Sequence, residues 1–204
     1  MVELIDIFLQ AKSTDKLVLE RPGLGKALLN WFVVSILLFI VSVFWVSVYN
    51  FALSAISGSG DPITNILVYS AISAIGIILG LPIAVLYSVL AYLTGKILGG
   101  KGAGLSQYFS IYLLASASIL LIEAIIFPFF LIPIFAIIPA LLLVIYGLYL
   151  QGKLAASYFS FSTIRGIASV VIPAVVILAL VLIVVLITIF AIALTTYSAL
   201  GTFA

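Results

Sequence analysis

The feature that most constrains this chain is the length of its uncharged stretches. No charged residue lies between Lys26 and Asp61, and none follows Arg165. These stretches exceed the roughly 20 apolar residues that a helix needs to cross a bilayer. Only 7% of the 204 residues are charged and 66% are hydrophobic, whereas soluble domains carry about 25% charged residues. We therefore predict an integral membrane protein, because too few charges remain to cover a soluble surface.

Turn-forming segments divide the apolar sequence into five predicted spans. Glycine and proline mark breaks at 57–62 and 99–104, and an aromatic, proline-flanked hairpin is expected at 127–133. A longer polar loop is expected at 151–166. The prediction is an all-α transmembrane bundle of five helices, with spans at about 27–56, 63–97, 105–127, 134–150 and 167–196.

The segment before the first span, residues 1–26, is the only long polar region. Its apolar residues fall at helical spacing at Leu4, Ile5, Phe8 and Leu9. Two interpretations remain open: a short helix lying in the headgroup layer on its apolar face, or a cap packed on the bundle. Residues 27–204 are assigned to the membrane domain.

The eight Lys and Arg residues predict the orientation of the chain. Four lie in the N-terminal region, two near the turn after span two and two in the loop after span four. Five spans place all of them on one side of the membrane. By the positive-inside rule, the N-terminus is expected in the cytoplasm and the C-terminus outside.

Small residues recur on one face of span two. Gly76, Gly80 and Ala84 are four residues apart, which lets another helix backbone approach closely. The face is expected to serve either packing within the bundle or contact with a second copy of the chain.

Glu123 is the only charged residue clearly within a span. A carboxylate at the bilayer centre costs on the order of 3 kcal/mol on insertion scales. It is a candidate proton relay, ion ligand or partner anchor. Alternatively, Glu123 has only a structural role: it lies about one turn from the outer end of span three, where its side chain reaches the interface or is protonated. No second acid or base in the spans offers it a partner, which argues against proton transport.

The residue types that most catalytic sites require are missing. The chain has no His and no Cys, which excludes the usual zinc, haem and thiolate sites. Asp61 stands alone in a turn, and no Ser or Thr has an evident activating base. We expect no enzyme activity, cofactor or metal. The net charge of +2 is too small to indicate nucleic-acid binding.

Several short motifs carry a resemblance to a known family. They are RPGLGKAL at 21–28, the glycine–lysine turn LGGKGAGLSQY at 98–108 running into ASAS at 115–118, and the proline-marked hairpin. Together they resemble the Yip1 family of five-span membrane proteins over most of the chain. Eukaryotic members are adaptors in vesicle traffic that bind small GTPases. The short polar region and the scarcity of Cys and Met favour a prokaryotic plasma membrane.

The resemblance implies a non-enzymatic scaffold or adaptor that binds other membrane proteins or shapes the bilayer. Expected contact surfaces are the turn at 99–104 and the loop at 151–166, through the cations Lys96, Lys101, Lys153 and Arg165. The expected partners are the lipid bilayer, other membrane proteins or a second copy. Two alternatives remain: an accessory subunit that docks span five on a larger complex, and a transporter or channel that uses Glu123.

Overall fold

The computed structural model describes residues 18, 22–58, 61–102 and 104–201, and this part of the chain contains five α-helices and no strand. Each helix is long and apolar enough to cross a membrane, which confirms the predicted all-α fold class. The predicted N-terminal interfacial helix lies outside the described residues. The helices are α1 (Leu24–Ser57), α2 (Pro62–Ile97), α3 (Leu105–Phe130), α4 (Pro133–Phe159) and α5 (Thr163–Gly201).

The bounds of the helices are set by caps and turns of different chemistry. Gly58 caps the C-terminus of α1 with a φ of +63°, in the left-handed region that glycine adopts without strain. Asp61 then caps α2: its carboxylate accepts the backbone N–H groups of Ile63 at 3.0 Å and Thr64 at 3.3 Å. The two-residue turn Leu131–Ile132 joins α3 to α4, and Pro133 occupies the first position of α4, where a missing N–H costs nothing.

The prediction of a loop over 151–166 is wrong. α4 continues through Phe159 and α5 begins at Thr163, so only residues 160–162 connect them. Leu150, Leu154 and Tyr158 recur every four residues and are all buried. Packing of this apolar face extends the helix past Gln151, which alone looked like the start of a polar loop.

The five helices form a closed ring in the order α1, α3, α4, α5, α2. Every neighbouring pair in this order packs together, and α2 also contacts α3 and α4 across the ring. Over their most apolar described stretches, α3 is the most buried of the five helices and α5 the least. The ring order places helices that are distant in sequence, such as α2 and α5, side by side.

α4 and α5 approach most closely at two glycines. A Cβ built on Gly166 would lie less than 3.0 Å from the carbonyl oxygen of Gly152 and from backbone and side-chain atoms of Ala156. A Cβ on Gly152 would meet the backbone of Ile167 at similar range. The two backbones are therefore nearly in contact, as small residues permit between membrane helices.

Consecutive helices alternate in direction because their connections are short. The starts of α1, α3 and α5 and the ends of α2 and α4 consequently share one end of the bundle, which we call the basic end. It carries Lys26, Lys96, Lys101, Lys153 and Arg165. The opposite end, called the hairpin end, holds Gly58 after α1, Asp61 before α2 and the turn at 131–132.

Candidate functional site

The basic end is built around the ring of Phe159. A Cβ added at Gly95, Gly100 or Gly102 would lie less than 3.0 Å from ring atoms of Phe159 or of its neighbour Tyr158. These three positions require glycine because an aromatic ring occupies the space that a side chain would need. The glycine-rich turn is therefore packed against the end of α4.

Hydrogen bonds fix the same turn. The Tyr158 hydroxyl donates to the carbonyl of Gly104 at 2.6 Å and accepts its N–H at 2.7 Å. The backbone N–H of Lys101 donates to the carbonyl of Phe159 at 3.3 Å. The ammonium group of Lys96 donates to the carbonyl of Gly102 at 2.7 Å. One of the four candidate cations thus also supports the turn.

An aromatic cluster supports the turn from inside the bundle. Neighbouring rings in it have centroids 5.0 to 5.9 Å apart, a range in which aromatic pairs attract. Phe159 is fully buried at its centre. The cluster consists of Tyr92, Tyr108, Tyr158, Phe159 and Phe161.

The cations of the basic end differ in exposure. Lys26, Lys96, Lys101 and Arg165 are exposed, and Lys153 is half-buried less than two turns before the end of α4. The acids among the described residues are Asp61, at the hairpin end, and Glu123, inside the bundle. Within the described ranges, the basic end therefore carries five cations and no acid.

The small-residue face of α2 is not uniform. Ala84 is buried, and a Cβ built on Gly80 would lie 3.4 Å from the Trp31 ring. A Cβ on Gly76 would meet no atom of the described residues within 4 Å. The face is therefore in contact with α1 at Gly80 and open at Gly76.

The open part of that face borders a cavity of about 280 Å³ between α1, α2 and α3. Glu123 lies on its wall, half-buried and seven residues before the end of α3. Aromatic, aliphatic and hydroxyl side chains complete the lining: Trp31, Ser35, Leu38, Phe39, Ser42, Tyr69, Ser73, Gly76, Ile77, Gly80, Leu120 and Phe127.

Glu123 has no hydrogen-bond or ion-pair partner in the part of the chain that the structure describes. Two serines of the lining are committed elsewhere: Ser35 donates to the carbonyl of Trp31 at 2.8 Å, and Ser42 donates to that of Phe39 at 2.9 Å. Their oxygens retain acceptor capacity toward the cavity.

Sequence reasoning missed two elements of these sites. The first is the pair Tyr158 and Phe159: the polar composition around Gln151 predicts a loop there, although Leu150, Leu154 and Tyr158 show helical spacing. The second is the cavity, because nothing in the sequence indicates that α1, α2 and α3 meet around Glu123.

Comparisons with models of protein families, with curated proteins and with solved structures found no match to this chain.

Proposed function

We propose that the protein is a non-enzymatic membrane scaffold or adaptor that uses its basic end to bind an acidic segment of another membrane protein. The observation that carries the proposal is the concentration of five cations, without an acid, at one end of the described bundle. The resemblance to the Yip1 family points the same way, as does the lack of residues suited to catalysis.

The construction of the basic end suits recognition. The glycine turn is held by Tyr158 and Lys96 and packed on Phe159. Lys101 lies in this turn and Arg165 lies in the first turn of α5, and both are exposed. Cations on a rigid base lose less conformational freedom on binding than cations on a mobile loop. An acidic juxtamembrane segment would complement them in charge.

The location follows from the same cations. By the positive-inside rule, we propose that the basic end faces the cytoplasm of a prokaryotic cell and that the membrane is its plasma membrane. The partner segment would then lie on the cytoplasmic side, close to the headgroups, where ion pairs compete with less bulk water.

The test is a cross-linking pull-down with two matched double variants. Lys101→Gln with Arg165→Gln removes two exposed charges and leaves the Lys96 bond to the turn intact. Lys101→Arg with Arg165→Lys changes both side chains and keeps the charges. We expect the neutral pair to reduce partner recovery to background and the charge-preserving pair to retain it.

An unchanged partner set in the neutral pair would contradict the proposal. Equal loss in both pairs would also contradict it, because recognition would then depend on side-chain shape rather than charge.

The exposure of α5 favours a second candidate, an accessory subunit of a larger membrane complex. Large apolar side chains such as Leu178, Leu186 and Phe190 are more than half exposed along this helix. Extraction in mild detergent separates the two functions: a companion of fixed stoichiometry supports the subunit, and a lone protein supports the scaffold.

A further inference from the structure

Glu123 is a carboxylate for which the described chain supplies no counter-ion. It lies 18 residues into α3, about 27 Å along the helix from the basic end. All described Lys and Arg residues belong to that end. A carboxylate in a membrane protein normally pairs with another side chain or serves a ligand. No described side chain pairs with Glu123.

The side chains that line the cavity beside Glu123 favour a positively charged ligand. Trp31, Tyr69 and Phe127 line it, and the faces of aromatic rings attract cations. Ser35 and Ser42 donate their hydroxyl protons to carbonyl groups of their own helix, so their oxygens remain acceptors. No Lys or Arg of the described residues lines the cavity. A carboxylate, aromatic rings and hydroxyl oxygens together match a positively charged ligand.

Size and access restrict the ligand further. The cavity volume of about 280 Å³ is close to the lower end of small-molecule sites, about 300 Å³, and is too small for a whole lipid. Gly76 lines the cavity and is also exposed on the surface of α2. A ligand would therefore enter through the exposed side of α2.

We propose that this cavity binds a small hydrophobic organic cation, whose ammonium group pairs with Glu123 while its apolar part lies against the aromatic side chains. Gly76 is the residue that leaves room for the ligand. The site lies inside the bundle and does not depend on the interaction proposed for the basic end.

Binding is measured with benzyltrimethylammonium, whose charge does not titrate, on protein in nanodiscs of zwitterionic lipid. The chain has two tryptophans, so Trp45→Phe leaves Trp31 as the only reporter, in the wall of the cavity. We expect a saturable change in Trp31 fluorescence. The uncharged isostere neopentylbenzene should bind at least about tenfold more weakly at equal concentration in the bilayer.

Two variants and one control test the site. Glu123→Gln keeps the shape and removes the charge, and should weaken binding of the cation by about tenfold or more. Gly76→Leu places a side chain in open space and should abolish binding while Glu123 remains. Asp61→Asn removes an acid outside the cavity and should leave binding unchanged.

The proposal is overturned if benzyltrimethylammonium gives no saturable response, if neopentylbenzene binds as well, or if Gly76→Leu binds normally. Unchanged affinity in Glu123→Gln would also overturn it. If Glu123→Gln does not fold, the isostere comparison and Gly76→Leu still decide.

Discussion

The two ends of the bundle are packed in different ways. At the basic end, glycines 95, 100 and 102 leave no room for a Cβ against Tyr158 and Phe159. Toward the hairpin end, α1, α2 and α3 separate around a cavity, and a Cβ on Gly76 would touch nothing. The same residue type thus permits close contact at one end and leaves space at the other.

The difference follows from the physics of packing in lipid. Lipid tails are as apolar as the side chains, so helices associate through close van der Waals contacts and hydrogen bonds rather than by hydrophobic burial. The basic end has both, in its ring contacts and its bonds to Gly104. We infer that it supplies much of the stability, which leaves the region around Glu123 free to bind a ligand.

The largest expected effect is at the closest backbone contact. Gly166→Ala should destabilise the protein by about 3 kcal/mol, because its Cβ would meet the Gly152 carbonyl and backbone atoms that cannot move independently. Unfolding in detergent measures the change. A loss under about 0.5 kcal/mol would mean that α4 and α5 separate easily.

Gly95→Ala should have a smaller effect, about 1–3 kcal/mol, since the Phe159 ring can shift where a backbone cannot. Gly76→Ala is the matched control on the same helix. It meets no atom and should be neutral or stabilising by about 0.5–1 kcal/mol, because alanine favours helix. Equal losses in the two variants would remove the distinction between tight and open glycines.

Tyr158→Phe tests the hydrogen bonds of the basic end separately from its packing. The ring remains, but both bonds to Gly104 are lost, and we expect a loss of about 1–2 kcal/mol. Tyr49→Phe, at an exposed position on α1, should change the unfolding free energy by less than about 0.5 kcal/mol. If both variants behave alike, the turn is held by packing alone.

The fold class was predictable because uncharged apolar stretches of this length fit only into lipid. In lipid, a continuous apolar stretch satisfies its backbone hydrogen bonds as an α-helix. Helix bounds were predictable to within one residue beside Gly58, Asp61 and Gly104, but not at the hairpin predicted for 127–133, since α3 continues through Pro128 to Phe130. They were not predictable at Gln151, where a polar run is followed by buried Leu154 and Tyr158. There, tertiary packing outweighs local composition.

The neighbours of each helix could not be predicted. A helix that is apolar on nearly all sides has no single face that must pack against a neighbour. The spacing of apolar residues therefore does not predict the ring order. The pairing of Gly152 with Gly166 and the meeting of Trp31, Tyr69 and Glu123 depend on that order. The sequence identified Glu123 as unusual but gave no indication of the cavity beside it.

The smallest expected effect is at the hairpin end, where Asp61 caps α2. The Thr64 hydroxyl, its backbone N–H and that of Ile63 donate to this exposed carboxylate and lower its pKa below the ordinary 3.8. A carboxyl group with a lowered pKa in the folded state adds stability above its unfolded pKa and loses it as pH falls through the folded value. The thermal midpoint of the wild type should therefore fall below about pH 4 more steeply than that of Asp61→Asn, which keeps a capping oxygen but does not titrate. Parallel pH profiles would show that the cap contributes little, and the hairpin end would then depend on its other turn at Leu131 and Ile132.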